Sequence, residues 1–119
     1  MSKLITAANA PAPELASEDI DCPPLGGSVK VRALWLSQRL AIEGRIARLR
    51  TKFPDDPDAA VYAVIPELLA ITVVDAKDQP VYSSHRWEIF GANHTAMALE
   101  LFNTAWRLSG MSGADTKKN

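Results

Sequence analysis

Few side chains of this chain could carry chemistry. The one thiol is Cys22 and the two imidazoles are His85 and His94. A thiol beside an imidazole can form a nucleophile–base pair. Cys22, however, lies in an alternating polar–apolar run next to Pro23 and Pro24, where a packed, inert thiol is expected. His85 and His94 are not spaced as a ligand pair on one helix, and each reads as a surface or cap-adjacent residue. Asp55, Asp56 and Asp58 crowd one loop. They lack the alternating ligands, the glycine and the closing Glu of a calcium loop, so they read as helix caps. Glu67, next to Pro66 in an apolar run, is the one acid whose surroundings could perturb its pKa. It is expected to face solvent or to satisfy a backbone group at a kink. There is no phosphate loop, dinucleotide fingerprint, His-Glu-x-x-His or nucleophile elbow. No catalytic residue, cofactor site or metal ligand is assigned, and binding is the expected function.

Two further sets of residues could bind a partner. Arg45, Arg48 and Lys52 share one face of a predicted helix, with Arg50 nearby. Such a stripe can hold phosphate. It carries no interleaved aromatics of the kind a single-strand binder uses, and cations in a last turn also suit the helix dipole. A solvated face is expected. A small helical regulatory or nucleic-acid-associated protein is the alternative. The three tryptophans, Trp35, Trp87 and Trp106, are many for this length and serve either as interface anchors or as core.

The elements that must position these residues can be read in order. The 119 residues suit one domain, with nearly balanced charge (net −1) and a single cysteine that excludes an internal disulfide. The opening residues lack the apolar core of a signal peptide. The apolar run 59–74 is short for a membrane span and contains Pro66 and Glu67. A soluble, cytosolic protein with no membrane or nucleic-acid partner is expected. Residues 1–17, rich in Ala and Pro, form a flexible arm, either frayed or ordered only by a partner. Residues 18–110 form the domain, and 111–119 form a polar, disordered tail.

Within the domain, residues 19–22 and 28–34 alternate about the turn signal Pro23-Pro24-Leu25-Gly26-Gly27, which predicts a β-hairpin. Its free edge is either a pairing surface for another chain or is covered by the arm. Ser37 is expected to cap a helix to about Phe53, with Ile42, Ile46, Leu49 and Phe53 on one face. An acidic cap and Pro57 start the next helix, which is apolar all round over 59–74 and is therefore expected to be the buried hub. Pro66 should kink or split it. Helix is preferred to the end of this run. The β-branched stretch Ile71-Thr72-Val73-Val74, facing Pro80-Val81-Tyr82 across a polar turn, would also allow a second hairpin. Ser83 or Ser84 caps a short helix over about 85–90 that ends at Gly91, with Trp87 and Phe90 on its inner face. Asn93 caps the last helix, which Gly110 ends at its C′ position. The polar stripe of that helix is narrow: Glu100, Asn103, Thr104 and Arg107. The fold class is thus mainly α, about four helices with a short N-terminal hairpin.

The order of these features resembles the tail assembly chaperones of long-tailed (siphovirus-type) bacteriophages. The matching pieces are residues 24–32 (PLGGSVKVR) leading into the helix, 68–75 (LLAITVVD) before a polar turn and Pro80-Val81-Tyr82, and 101–105 (LFNTA) in the last helix. They span about 20–110. Members often carry Asp-Gly where this chain has Asp78-Gln79. The resemblance implies a small, largely helical, non-enzymatic protein of a phage or prophage. It would act in the host bacterial cytoplasm and be absent from the mature virion. Its partners would be the aggregation-prone tape measure protein and, through recruitment, the tail tube protein, with weak homo-oligomerisation letting many copies line one client. Many members also exist in a longer, frameshifted form. The broad apolar faces around Leu101, Phe102, Trp106 and Trp87 are the expected partner-binding residues.

Overall fold

The computed structural model describes residues 3–111. Main-chain alternation sets the first element. Strand β1 (Ser17–Cys22) pairs antiparallel with β2 (Gly27–Arg32), with Ile20 opposite Val29 and Asp19 opposite Lys30. Pro23–Leu25 forms one 3₁₀ turn between them, closed by Gly26 at φ 80°, a left-handed position that favours glycine. Val29, Val31 and Cys22 are buried, while Asp19 and Asp21 face solvent.

Helix α1 (Leu36–Lys52) begins two residues earlier than a cap at Ser37 would allow. Trp35 is its N-cap, and its N–H donates to Gln38 Oε1 at 3.0 Å. Ile42 and Ile46 are buried, Leu49 is half-buried and Phe53 is exposed. Asp56 caps α2 (Pro57–Ala63), accepting from the Ala59 N–H at 3.3 Å. The hub splits as its proline demands. Pro66 has no N–H to offer the preceding turn, so α2 stops at Ala63. After Val64, α3 (Ile65–Thr72) starts afresh with Pro66 in its first turn. Counting α2 and α3 as one broken segment, four helical units stand behind the hairpin.

The end of the hub departs from the helix expected there. Val73–Val74 is a strand, β3, paired antiparallel with β2 in the order β1-β2-β3. Val81 N–H donates to Val73 O at 3.2 Å and Val74 bridges Pro80, so the rival hairpin partly forms. Two adjacent β-branched residues beside the open side of β2 gain more from ladder bonds and burial than from another helical turn. The turn is held by Asp75, whose Oδ1 accepts from the N–H groups of Lys77 (2.8 Å) and Gln79 (3.0 Å). Asp78 sits at φ 62° and bonds Lys30 Nζ at 2.8 Å.

These bonds hold the Asp75 carboxyl, and the Lys30 ammonium holds that of Asp78, below the ordinary 3.8. Both groups are charged in the folded turn. Their contribution is therefore complete above the unfolded value of about 3.9 and is lost as pH falls through the lower folded value. A carboxyl NMR titration should place both midpoints below 3.8, and Lys30→Ala should raise that of Asp78 while leaving that of Asp75 in place.

Ser83 caps α4 (Ser84–Asn93), accepting from the Arg86 N–H at 3.3 Å. Gly91 does not end this helix. It lies inside it, where a Cβ would come within 3.6 Å of Ala98 Cβ on α5 (Thr95–Leu108). It marks close helix approach, not a stop. Likewise Asn93 is the last residue of α4, and His94 alone joins the two helices. Thr104 leaves the polar stripe: it is buried, its hydroxyl donating to Glu100 O at 3.0 Å.

Gly110 ends α5 as expected, at φ 72°. Gly110 N–H donates to Arg107 O and Met111 N–H to Trp106 O, both at 3.0 Å, the paired closure of a Schellman motif. Met111, assigned to the tail from its position, is instead buried in the core. The remainder of the expected tail, 112–119, lies outside the described residues. Gly110→Ala should cost about 1–2 kcal/mol, since a Cβ strains this left-handed residue. Gly27→Ala, whose Cβ would meet nothing within 4 Å, should stay within about 0.5 kcal/mol. Urea titrations of the two variants check this.

The sheet lies on α5 and α3, and α4 packs across both. Leu34 N–H donates to the buried Ser109 hydroxyl at 3.0 Å, tying the end of the sheet to the end of α5. Helix α1 packs chiefly on α2. The Cα radius of gyration is 16.4 Å, against about 13 Å for a compact chain of this length, so the molecule is drawn out. Residues 3–16 form no strand or helix, apart from a turn at Thr6–Ala10, and they are largely exposed.

Candidate functional site

The residues expected to meet a partner do not stand on one surface. Leu101, Phe102 and Trp87 are buried, and only Trp106 is half-exposed. In this chain their area is already covered: Leu101 and Phe102 are core residues of α5, which packs on the sheet, α3 and α4, and Trp87 has Tyr82 and Phe90 around it. The wide apolar face of α5 comes from its being wedged between elements. Among the tryptophans, Trp35 is exposed, at the start of α1.

The apolar surface left over lies in a groove between the broken hub and the α4–α5 corner. One end, about 250 Å³, is floored by Leu69, Trp87 and Ala98 and walled by Pro66, Glu88 and Ala92. The other, about 420 Å³, is lined by Phe102 and Asn103. Tyr62, Ile65 and Leu99 belong to both and make them continuous. Tyr62 is 59% exposed and Leu99 38%. The groove lies at the break in the hub: Tyr62, in the last turn of α2, lines it with Leu99 of α5 and stays exposed. A second apolar ridge, Leu36 and Leu40 beside Trp35, runs along the outer face of early α1, with Leu36 72% exposed.

A hollow of about 380 Å³ lies between the hairpin turn and α4, lined by Pro24, Leu25, Tyr82, Arg86, Ile89, Phe90, Asn93 and His94. Cys22 is not in its wall. It is fully buried, and burial pushes its thiol pKa up, with the charges of Asp21 and Glu100 adding to the effect and a Leu25 backbone bond opposing it. That is the wrong direction for a nucleophile at neutral pH. His94 stacks at a tilt on Phe90, 5.1 Å between centroids. Among the described residues no three His, Cys, Asp or Glu side chains gather in a metal-binding group.

The basic stripe is partly occupied. Arg45 bonds Glu67 Oε1 at 2.6 Å, which gives that acid a charged partner on α1, and Arg39 pairs with Glu43 at 3.1 Å. Arg48, Arg50 and Lys52 make no ion pair among the described residues. Sequence reasoning missed Tyr62, because residues 59–74 read as uniformly buried, and on α5 it singled out Leu101, Phe102 and Trp106 and not Leu99. The signal for Tyr62 is Pro66, which forces a break in the hub one turn after it.

Among the described residues no helix is long and apolar enough to cross a membrane. No protein-family model, no curated protein and no solved structure matches this chain.

Proposed function

We propose that this chain is a phage tail assembly chaperone that binds the tape measure protein, keeps it soluble and helps recruit tail tube subunits. The reading rests on the sequence resemblance set out above. The observation that supports it is the apolar groove around Tyr62, Ile65 and Leu99. A tape measure is a long helix with apolar stripes, and a helix of that kind lays i, i+3, i+4 anchors into such a groove. The groove is open and shallow, which suits modest affinity and release once the tube polymerises. Many weakly bound copies on one client then act together through effective concentration. The client-facing residues are therefore Tyr62, Ile65 and Leu99, with Phe102 as floor and Trp106 outside.

Co-expression with a tape measure fragment, scored by the fraction of fragment in the soluble lysate, tests the proposal. Rescue of solubility is expected, and its absence for every fragment of the client would sink it. The alternative, nucleic-acid association through Arg45, Arg48 and Lys52, predicts binding to DNA or RNA that falls steeply with salt.

A further inference from the structure

Two features of the N-terminal third have no role in the groove. The first is an open sheet edge. Ala33 N–H donates to Ala16 O at 2.8 Å. Antiparallel alternation from that pair turns the main-chain groups of Ser17, Asp19 and Asp21 away from β2. Among the described residues no strand or loop bonds to them. The acids on this edge lack partners as well. Lys30, directly across from Asp19, is drawn to Asp78 at 2.8 Å, and Arg107 goes to Glu18 at 2.8 Å. Asp19 and Asp21 have no ion pair among the described residues. The second feature is an uncovered apolar pair in the arm: Leu4 is 93% exposed and Ile5 68%. Lys3 precedes them, and residues 3–13 carry no acid.

We propose that Lys3–Thr6 of one copy adds as a fourth strand to the β1 edge of a second copy. In antiparallel register with Lys3 opposite Asp21, Leu4 lies over the half-buried Ile20, and Lys3 and Ile5 exchange main-chain bonds with Asp21 and Asp19. Lys3 then meets an unpaired carboxylate. Edge-to-edge pairing of two β1 strands would instead set Asp19 against Asp19, which like charge opposes. Pro11 and Pro13 hold the segment before β1 extended. The arm makes no bond to its own edge, and residues 11–16, past the turn, give it about 20 Å of reach toward another molecule. Each copy thus holds one donor arm and one acceptor edge. This inference does not depend on the chaperone reading.

Sedimentation velocity of the full chain over a concentration series tests it. Association that weakens with added salt is expected. Leu4→Glu with Ile5→Glu should weaken it about tenfold or more. Both side chains are exposed, so the monomer fold should be unchanged. Asp19→Pro removes only an outward N–H and should have the same effect, with Asp19→Lys plus Asp21→Lys as the second edge variant if the proline perturbs folding. A mixture of the arm variant with an edge variant should form a 1:1 dimer that neither forms alone. A monomeric wild-type chain up to about 1 mM, an undiminished association in the arm variant, or a mixture that stays monomeric would each overturn the proposal.

Discussion

Trp87→Ala should destabilise the fold by about 3–5 kcal/mol, a large part of the roughly 5–15 kcal/mol that holds a domain together. The indole is 1% exposed. It stands edge-on to Tyr82 (centroids 5.0 Å, 74°) and to Phe90 (5.1 Å, 80°). Truncation therefore opens a cavity where α3, α4 and the Pro80–Tyr82 segment meet, and it loses two favourable aromatic contacts. The variant Trp87→Phe separates packing from hydrogen bonding. The indole N–H is buried with no acceptor among the described residues, so replacing it gives up no bond and removes a desolvated donor. Phe should therefore recover more than half of the loss. Urea unfolding followed by far-ultraviolet circular dichroism measures both. A Trp87→Ala cost under about 1 kcal/mol would mean that this junction is not part of the cooperative core.

The second large effect concerns the groove. Tyr62→Glu with Leu99→Glu should abolish rescue of a tape measure fragment and weaken its binding about a hundredfold or more. Each side chain covers apolar area worth roughly 1.5–3 kcal/mol when fully buried by a client, and each new carboxylate would have to be desolvated on docking. Both positions are exposed in the free chain, so stability should change little, and the urea midpoint serves as the control. Leu36→Glu with Leu40→Glu tests the rival ridge on α1. Loss of rescue there, with the groove variant still active, would move the client site to α1. Charge reversal at Arg48 and Lys52 should leave rescue intact in either case.

Local sequence determined much of this protein. The hairpin follows from alternation about Pro23-Pro24-Leu25-Gly26-Gly27, because side-chain period and turn chemistry act over a few residues. The breaks at Pro54 and Pro66, the Asp56 and Ser83 caps and the Gly110 stop are equally local, since each depends on one missing N–H, one side-chain acceptor or one residue tolerant of positive φ. The shared inner face of Trp87 and Phe90 was legible from helical spacing.

Tertiary structure decided the rest. Val73–Val74 is a strand because β2 offers it a partner, and no window of sequence around it contains that partner. Gly91 is a point of helix contact, not a stop, because Ala98 lies against it. Met111 belongs to the core because the turn at Gly110 folds it back. Leu101 and Phe102, expected to face a partner, are buried because periodicity reports how wide an apolar face is, not how many neighbours cover it. Leu101, Phe102 and Trp87 are covered on folding, while Tyr62 and Leu99 stay open. Which apolar side chains remain available to a guest is a property of the packed molecule, set by elements distant in sequence that meet only on folding.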